Sequence, residues 1–237
     1  MSYFNVENLG KYWSEDLQVS FSIEMDKGTM LGIVGQSGSG KSTVLRLIAG
    51  LLENKSLNGK PSVLNLNGKD LLPLPPGKRN VGMVFQNHSL FPHLRVDDNV
   101  AYGIISKAGK YADTNISKKE SRILADSYLE MFGLRGFGNR YPDSLSGGES
   151  QRVSLARTLI VEPAIVLFDE PFSSLDAPLR KKLAIDICNL QKELGFTGIL
   201  VTHDIQEART MCHVATIMKN GKQIWTGDAD DLTESLL

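Results

Sequence analysis

Two short stretches carry residue types suited to phosphate chemistry. Gly35-Gln36-Ser37-Gly38-Ser39-Gly40-Lys41-Ser42-Thr43 interleaves glycine with small polar residues and ends in a lysine and two hydroxyls. Glycines let the backbone pass close to phosphate oxygens, while consecutive N–H groups and a helix N-terminus supply partial positive charge. At this spacing Lys41 is expected to reach the β- and γ-phosphates of a nucleotide, and Ser42 to ligate Mg²⁺. The second stretch is Asp169-Glu170, placed directly after the apolar run Ala164-Ile165-Val166-Leu167-Phe168. An aspartate at a strand end can hold Mg²⁺, and an adjacent carboxylate can polarise an attacking water, so Asp169 is expected as metal ligand and Glu170 as general base. Either stretch alone also reads as a turn or a solvated strand end; together they read as two parts of one site.

The elements that must position them follow from hydrophobic patterning. Met30-Leu31-Gly32-Ile33-Val34 reads as a buried parallel strand entering the glycine loop, and Thr43 to Gly50 has the apolar spacing of a helix leaving it. Val81 to Phe85, Ala164 to Phe168 and Gly198 to Val201 read as further buried strands. Tyr3 to Val6, Leu17 to Ile23 and Val63 to Lys69 read as a small antiparallel sheet leaning on the core, with Leu17, Val19, Phe21 and Ile23 on one face at period two. Tyr12 and Trp13 are expected between these strands, near a turn. Three prolines make Leu72 to Arg79 a surface connector. Ser117 to Phe132 shows a helical stripe through Ile123, Leu124, Tyr128, Leu129 and Phe132. Leu155 to Ile160, residues 178 to 194 and Ile205 to Cys212 read as helices, and Val214 to Met218 with Gln223 to Trp225 as a hairpin through Asn220-Gly221.

At 237 residues the chain accommodates one large α/β domain, or a core with one inserted subdomain. Hydrophobic residues at 41% and charged residues at 22% predict a globular core. A net charge of -1 gives no support to nucleic-acid binding, and no nucleic-acid partner is expected. Cys188 and Cys212 lack metal-ligand spacing and read as reduced thiols of a cytosolic protein. No signal pattern opens the chain, and no window approaches the roughly 20 apolar residues of a spanning helix, so any membrane association is expected to come through a partner.

Leu145-Ser146-Gly147-Gly148-Glu149-Ser150-Gln151-Arg152 lies between the two stretches. Ser146 followed by Glu149 is a capping box, so a helix should start here with its first N–H groups exposed by two glycines. In order and approximate spacing, Gly35 to Thr43, Gln86, Leu145 to Arg152, Asp169-Glu170-Pro171, Ser174-Leu175-Asp176 and Thr202-His203-Asp204 resemble the ATP-binding-cassette ATPases across essentially the whole chain. The resemblance implies a phosphate-loop NTPase core with a small antiparallel β subdomain and an inserted α-helical subdomain. It places the core in residues 1–86 and 158–237, the helical part in 87–157, and no regulatory domain beyond Leu237.

It further implies a homodimer that clasps two ATP molecules head to tail, with Mg²⁺. Each ATP would sit between Gly35, Gln36, Ser37, Gly38, Ser39, Gly40, Lys41, Ser42 and Thr43 of one copy and Ser146, Gly147, Gly148 and Glu149 of the other. Gln86 then resembles the glutamine that meets Mg²⁺ and the water, His203 the histidine that bonds the γ-phosphate and positions Glu170, and Asp176 the aspartate that crosses the interface. Tyr12 or Trp13 would stack on adenine. His88, His93 and His213 carry no such resemblance and read as structural or surface residues. Glu149 stands where the family usually has Gln, and adds negative charge beside a triphosphate. Pro76 to Gln86, Leu90-Phe91-Pro92-His93-Leu94 and Asp169 to Asp176 resemble the bacterial importers of iron, polyamines, sulfate, molybdate and thiamine. That branch implies transmembrane permease subunits that dock near Leu90 to Val100, an extracytoplasmic solute-binding protein, and a peripheral place on the cytoplasmic membrane face. An exporter subunit and a soluble non-transport ATPase of the same family are the alternatives.

Overall fold

The computed structural model describes residues 2–14, 17–55, 60–87, 89–173 and 175–236; Ser174 and His88 lie outside the described residues, as does the side chain of Leu17. In chain order the elements are β1 (Phe4–Ser14), β2 (Leu17–Met25), β3 (Met30–Val34), α1 (Lys41–Ala49), β4 (Val63–Leu66), β5 (Lys69–Asp70) and β6 (Val81–Val84). Then follow α2 (Val96–Ile105), α3 (Lys118–Met131), α4 (Gly147–Leu159), β7 (Ile165–Asp169), α5 (Ala177–Leu194), β8 (Thr197–Thr202), α6 (Ile205–Met211), β9 (Val214–Lys219) and β10 (Lys222–Asp228).

The larger sheet runs β10-β9-β3-β8-β7-β6. All of its pairings are parallel except the β9–β10 hairpin, so the C-terminal ends of β3, β6, β7 and β8 share one edge. The strands read as unbroken apolar runs because both faces are covered. Within β7, Val166 and Phe168 face the layer of α2 to α5, whereas Ile165 and Leu167 face α1 and the smaller sheet. In β8, Leu200 goes with the first set and Ile199 and Val201 with the second. The period of two thus divides one continuous hydrophobic run between two cores.

The smaller sheet is antiparallel, in the order β2-β1-β4-β5. Its strand β1 is longer than the sequence pattern predicts, because it continues through two register shifts to Ser14, with Tyr12 opposite Gln18. Tyr12 and Trp13 therefore lie within strand β1, near its end, and not between the strands. The predicted Asn220-Gly221 turn is present: both residues have positive φ, 48° and 74°, which suits the twist of a tight hairpin.

Two further expectations are corrected. The segment before β6 is not wholly a surface connector, since Arg79 is 7% exposed and its guanidinium donates to the carbonyls of Leu47, Ile48 and Leu74 at 2.9 Å. It thereby adds a donor to carbonyls of the last turn of α1, of which Leu47 O also accepts from the Gly50 N–H at 3.1 Å, and places a cation at the negative end of that helix. Gly50 ends α1 at φ 78°, and a Cβ there would lie 2.5 Å from Arg79 Nε. On α3, Ala125 and Leu129 are buried but Ile123 is 60% exposed, so the stripe facing the core is narrower than predicted. Helix α4 runs from Gly147 to Leu159, across the expected boundary at residue 157.

Candidate functional site

The glycine loop leaves the central strand β3 and enters α1 at Lys41. Its glycines are required by geometry. Gly38 and Gly40 have φ of 82° and 99°, and a Cβ on Gly40 would come within 2.8 Å of Val19 Cγ2. Lys41 is nearly buried, and its ammonium donates to the Gly35 and Gln36 carbonyls at 2.8 and 2.9 Å. Burial pulls the Lys41 pKa below the ordinary lysine value, against the opposing pull of the Glu170 and Asp169 carboxylates. The buried Ser39 hydroxyl has no hydrogen-bond partner among the described residues. A buried donor left unmatched inside a loop of this kind fits an anion in the cradle.

Asp169 and Glu170 reach the same place from the end of β7. Ser42 Oγ donates to Asp169 Oδ1 at 2.6 Å, so the hydroxyl and carboxylate expected to share a metal are in direct contact. Glu170 adopts the left-handed region at φ 45°, an uncommon conformation for glutamate that the surroundings hold by several bonds. Its N–H donates to Val201 O at 3.0 Å, and its own carbonyl accepts from the Ser173 N–H and hydroxyl at 3.3 and 3.1 Å. The carboxylate that results lies 4.0 Å from Lys41 Nζ through Oε1 and 3.5 Å from His203 Nδ1 through Oε2. His203 leaves the end of β8 with its side chain 54% exposed. Gly35, Gln36, Ser37, Glu170 and His203 line one cleft of about 470 Å³.

The other expected site residues are placed elsewhere in the chain. Gln86 is exposed in the turn after β6, beside β7 in the parallel register Val84↔Phe168, and makes no bond to Lys41, Asp169 or Glu170 among the described residues. Tyr12 and Trp13 are 44% and 45% exposed at the end of β1. Their strand partner β2 touches the glycine loop through the hairpin turn: Gly221 N–H donates to Ser39 O at 3.0 Å, and Ser20 N–H to Gly221 O at 2.9 Å. A Cβ on Gly221 would fall 1.8 Å from Gln18 O, so this residue, read from sequence as a turn former alone, also allows the small sheet to approach the loop.

Ser146 caps α4 in a complete capping box. Its N–H donates to Glu149 Oε2 at 2.7 Å, and Glu149 N–H donates to Ser146 Oγ at 3.4 Å. The bond from the Ser146 backbone holds the Glu149 carboxyl below the usual glutamate range, so it is ionised at neutral pH. Gly147 and Gly148 pack on Leu175 and Leu179 at the start of α5, where Asp176 is the N-cap and accepts from Leu179 N–H at 2.9 Å. None of Ser146, Gly147, Gly148, Glu149 and Asp176 lines the cleft at Lys41. His213, read as structural, accepts from the Met30 N–H through Nδ1 at 3.0 Å.

A polar cluster behind His203 was missed from sequence. Thr202 donates to Glu207 Oε2 at 2.5 Å, Asp204 N–H donates to Thr202 Oγ1 at 3.0 Å, and Arg180 lies against both Asp204 and Glu207. The Asp204 to Glu207 spacing shows a helix start, and Asp204 does cap α6. The glutamate, however, turns to Thr202, and no local rule predicts that.

A family model described as ABC transporter matches residues 18–173. The chain is 42% identical over 214 residues to the Fe(3+) ions import ATP-binding protein FbpC of Agrobacterium fabrum, covering 90% of this chain and 57% of that one. It is 40% identical over 231 residues to a probable sulfate/thiosulfate import ATP-binding protein CysA of Chlorella vulgaris, covering 97% and 92%. The chain thus spans a little over half the length of the iron-import relatives. Among solved structures, it is similar to a dimeric ATP-binding cassette in a post-hydrolysis state bound to ADP and Pi, with TM-score 0.80, 29% identity and coverage of 95% and 98%. It is likewise similar to cbiO1 of Clostridium perfringens, part of the ABC transporter complex cbiONQ, with TM-score 0.80, 26% identity and coverage of 97% and 90%.

Proposed function

Because this chain belongs to the ABC transporter family, we propose that it is the ATP-hydrolysing subunit that powers solute import through partner permease subunits. The observation that carries the reading is the meeting of Lys41, Ser42, Asp169, Glu170 and His203 on one sheet edge, around the glycine loop. Import is supported by the names of the iron and sulfate relatives. The fold is that of the cassette ATPases: a phosphate-loop core, a small antiparallel β subdomain and an inserted helical subdomain. On this reading residues 1–86 and 158–237 form the core, and 87–157 the helical part.

In the proposed mechanism Lys41 exchanges the Gly35 and Gln36 carbonyls for the β- and γ-phosphates of ATP. Ser42 and Asp169 offer hard oxygen ligands already in contact, a donor set that fits Mg²⁺, and Gln86 would add a third from the neighbouring strand end. When bound, Mg²⁺ neutralises phosphate charge. Glu170 accepts a proton from the attacking water, and His203 orients Glu170 and bonds the γ-phosphate. Ser146 and Gly147 are exposed at the start of α4, with Glu149 partly exposed and Gly148 buried behind them, and together they complete the site of a second copy through that helix N-terminus. Asp176 crosses the same interface, and Tyr12 stacks on adenine, with Trp13 beside it. The homodimer is supported by the dimeric cassette, and the permease partners by the membership of cbiO1 in a transporter complex. A solute-binding protein and a peripheral position on the cytoplasmic face follow from the import reading. No helix among the described residues is long and apolar enough to cross a membrane.

Purified protein should release phosphate from ATP with Mg²⁺, and chelation by EDTA should abolish the release. Phosphate release that persists in EDTA would contradict the assigned metal ligands. Glu149→Gln should lower the ATP concentration for half-maximal turnover roughly two- to fivefold, because one exposed charge several ångströms from a phosphate is worth under about 1 kcal/mol in water. An unchanged or higher value would show that the carboxylate does not face the partner's triphosphate.

A further inference from the structure

Arg180 stands one helical turn after Asp176 on α5 and touches three separate pieces of the site's surroundings. Its Nη2 donates to the Leu175 carbonyl at 3.1 Å, inside the loop that carries Asp176. Its Nη1 lies 3.5 Å from Asp204 Oδ2, and its Nε lies 3.6 Å from Glu207 Oε1. The residues on both sides of His203 are thereby held. Asp204 spends its other oxygen capping α6, on the Gln206 and Glu207 N–H groups at 2.7 and 3.3 Å. Thr202 is fixed by its bond to Glu207 at 2.5 Å. The His203 side chain stands between two fixed neighbours, 54% exposed and facing Glu170 at 3.5 Å.

The guanidinium also answers an electrostatic need. Glu207 is 8% exposed, with Asp204 as a second carboxylate beside it, and a buried carboxylate without a counter-charge is costly. Arg180 Nε is itself buried and has no hydrogen-bond partner among the described residues, although Glu207 faces it just beyond bonding distance. A planar fork suits this place better than a point charge, since it addresses a carbonyl and two carboxylates in different directions.

We propose that Arg180 is a positioning residue for ATP hydrolysis: it ties the loop bearing Asp176 to the loop bearing His203, and so sets the imidazole against Glu170. The proposal rests on the ATPase reading above and adds a route by which the interface aspartate and the histidine move together. The chain of hydrogen bonds and ion pairs runs Asp176–Leu175, Arg180, Asp204 and Glu207, then Thr202 and His203. Arg180 touches neither the cleft nor the glycine loop, so nucleotide affinity should be spared.

The test is steady-state ATP hydrolysis by the full chain. Arg180→Ala should lower kcat about tenfold while changing KM for ATP less than about twofold, and Arg180→Lys should recover part of the loss. In a His203→Ala background, Arg180→Ala should cost nothing further, because both act through one imidazole. If Arg180→Ala loses its thermal transition, Glu207→Gln carries the same test. It keeps an acceptor for Thr202 but removes the charge that faces Arg180, and it too should lower kcat and add nothing to His203→Ala. Parental kcat in the folded variant, or losses that multiply with His203→Ala, would overturn the proposal. The ATPase reading fails separately, on Glu170→Gln hydrolysing at the parental rate, whatever Arg180 does.

Discussion

Glu170→Gln should bind ATP with Mg²⁺, accumulate as a dimer, and turn over on the order of 10² to 10⁴ times more slowly than the parent, the range contributed by a positioned general base. The substitution keeps the shape of the side chain and removes only its basicity. In the protein both carboxylate oxygens are engaged by cations or potential cations, Lys41 Nζ at 4.0 Å and His203 Nδ1 at 3.5 Å. The backbone that aims them is held at φ 45° by the bond from the Glu170 N–H to Val201 O and by bonds from Ser173, none of which involves the carboxylate. Glutamine should therefore occupy the same place without refolding the loop. With hydrolysis blocked, ATP bound between two copies remains as the link between them, and the dimer should be visible by light scattering in ATP and absent in ADP. Hydrolysis at the parental rate would move the base to another residue.

Lys41→Ala should lower ATP affinity about 30- to 150-fold, corresponding to the loss of about 2 to 3 kcal/mol of charge-assisted hydrogen bonding. The side chain is nearly buried and spans from the start of α1 back to the Gly35 and Gln36 carbonyls, so its ammonium already lies within the loop that would hold the phosphates. Burial lowers its pKa, while Glu170 and Asp169 pull the other way and do not cancel the shift. A lysine whose proton leaves earlier than usual should lose affinity for phosphate at a lower alkaline pH than an ordinary lysine. Titration of a fluorescent ATP analogue across that range would show it. The alanine variant also leaves two loop carbonyls without their donor, so a melting curve must accompany the affinity measurement. An affinity within about threefold of the parent would place the phosphates outside the reach of Lys41.

Much of this protein is written in short-range pattern. The strand, glycine loop and helix from Met30 to Ala49, the capping box from Ser146 to Glu149 and the Asn220-Gly221 hairpin each depend on residues within a few positions of one another. Steric permission at positive φ, a side chain reaching a nearby N–H, and helical spacing are local physics, so their residues can be read in isolation. The same holds for the acids at the end of β7, because a run of five buried residues followed by Glu170 announces where the strand stops.

Tertiary structure alone decided the rest. Tyr12 and Trp13 entered strand β1 because pairing with β2 survives two register shifts, which the alternation of side chains cannot reveal. Arg79 went inside because the carbonyls at the end of α1 needed donors some thirty residues away in sequence, and Ile123 stayed outside because α3 buries only a narrow stripe. A strand covered on both faces is apolar throughout, so sequence does not say which of Val166 or Leu167 meets the helices. The meeting of Arg180 with Glu207 and Asp204 has the same origin: α5 and α6 are separated in sequence by β8, and only the packing of α5 against α6 brings the three charges together. Sequence by itself determined the parts proposed to bind phosphate, because those parts would act through their own backbone and nearest neighbours. The relative placement of lysine, carboxylates and histidine was decided by the parallel sheet, which alone brings four strand ends to one edge.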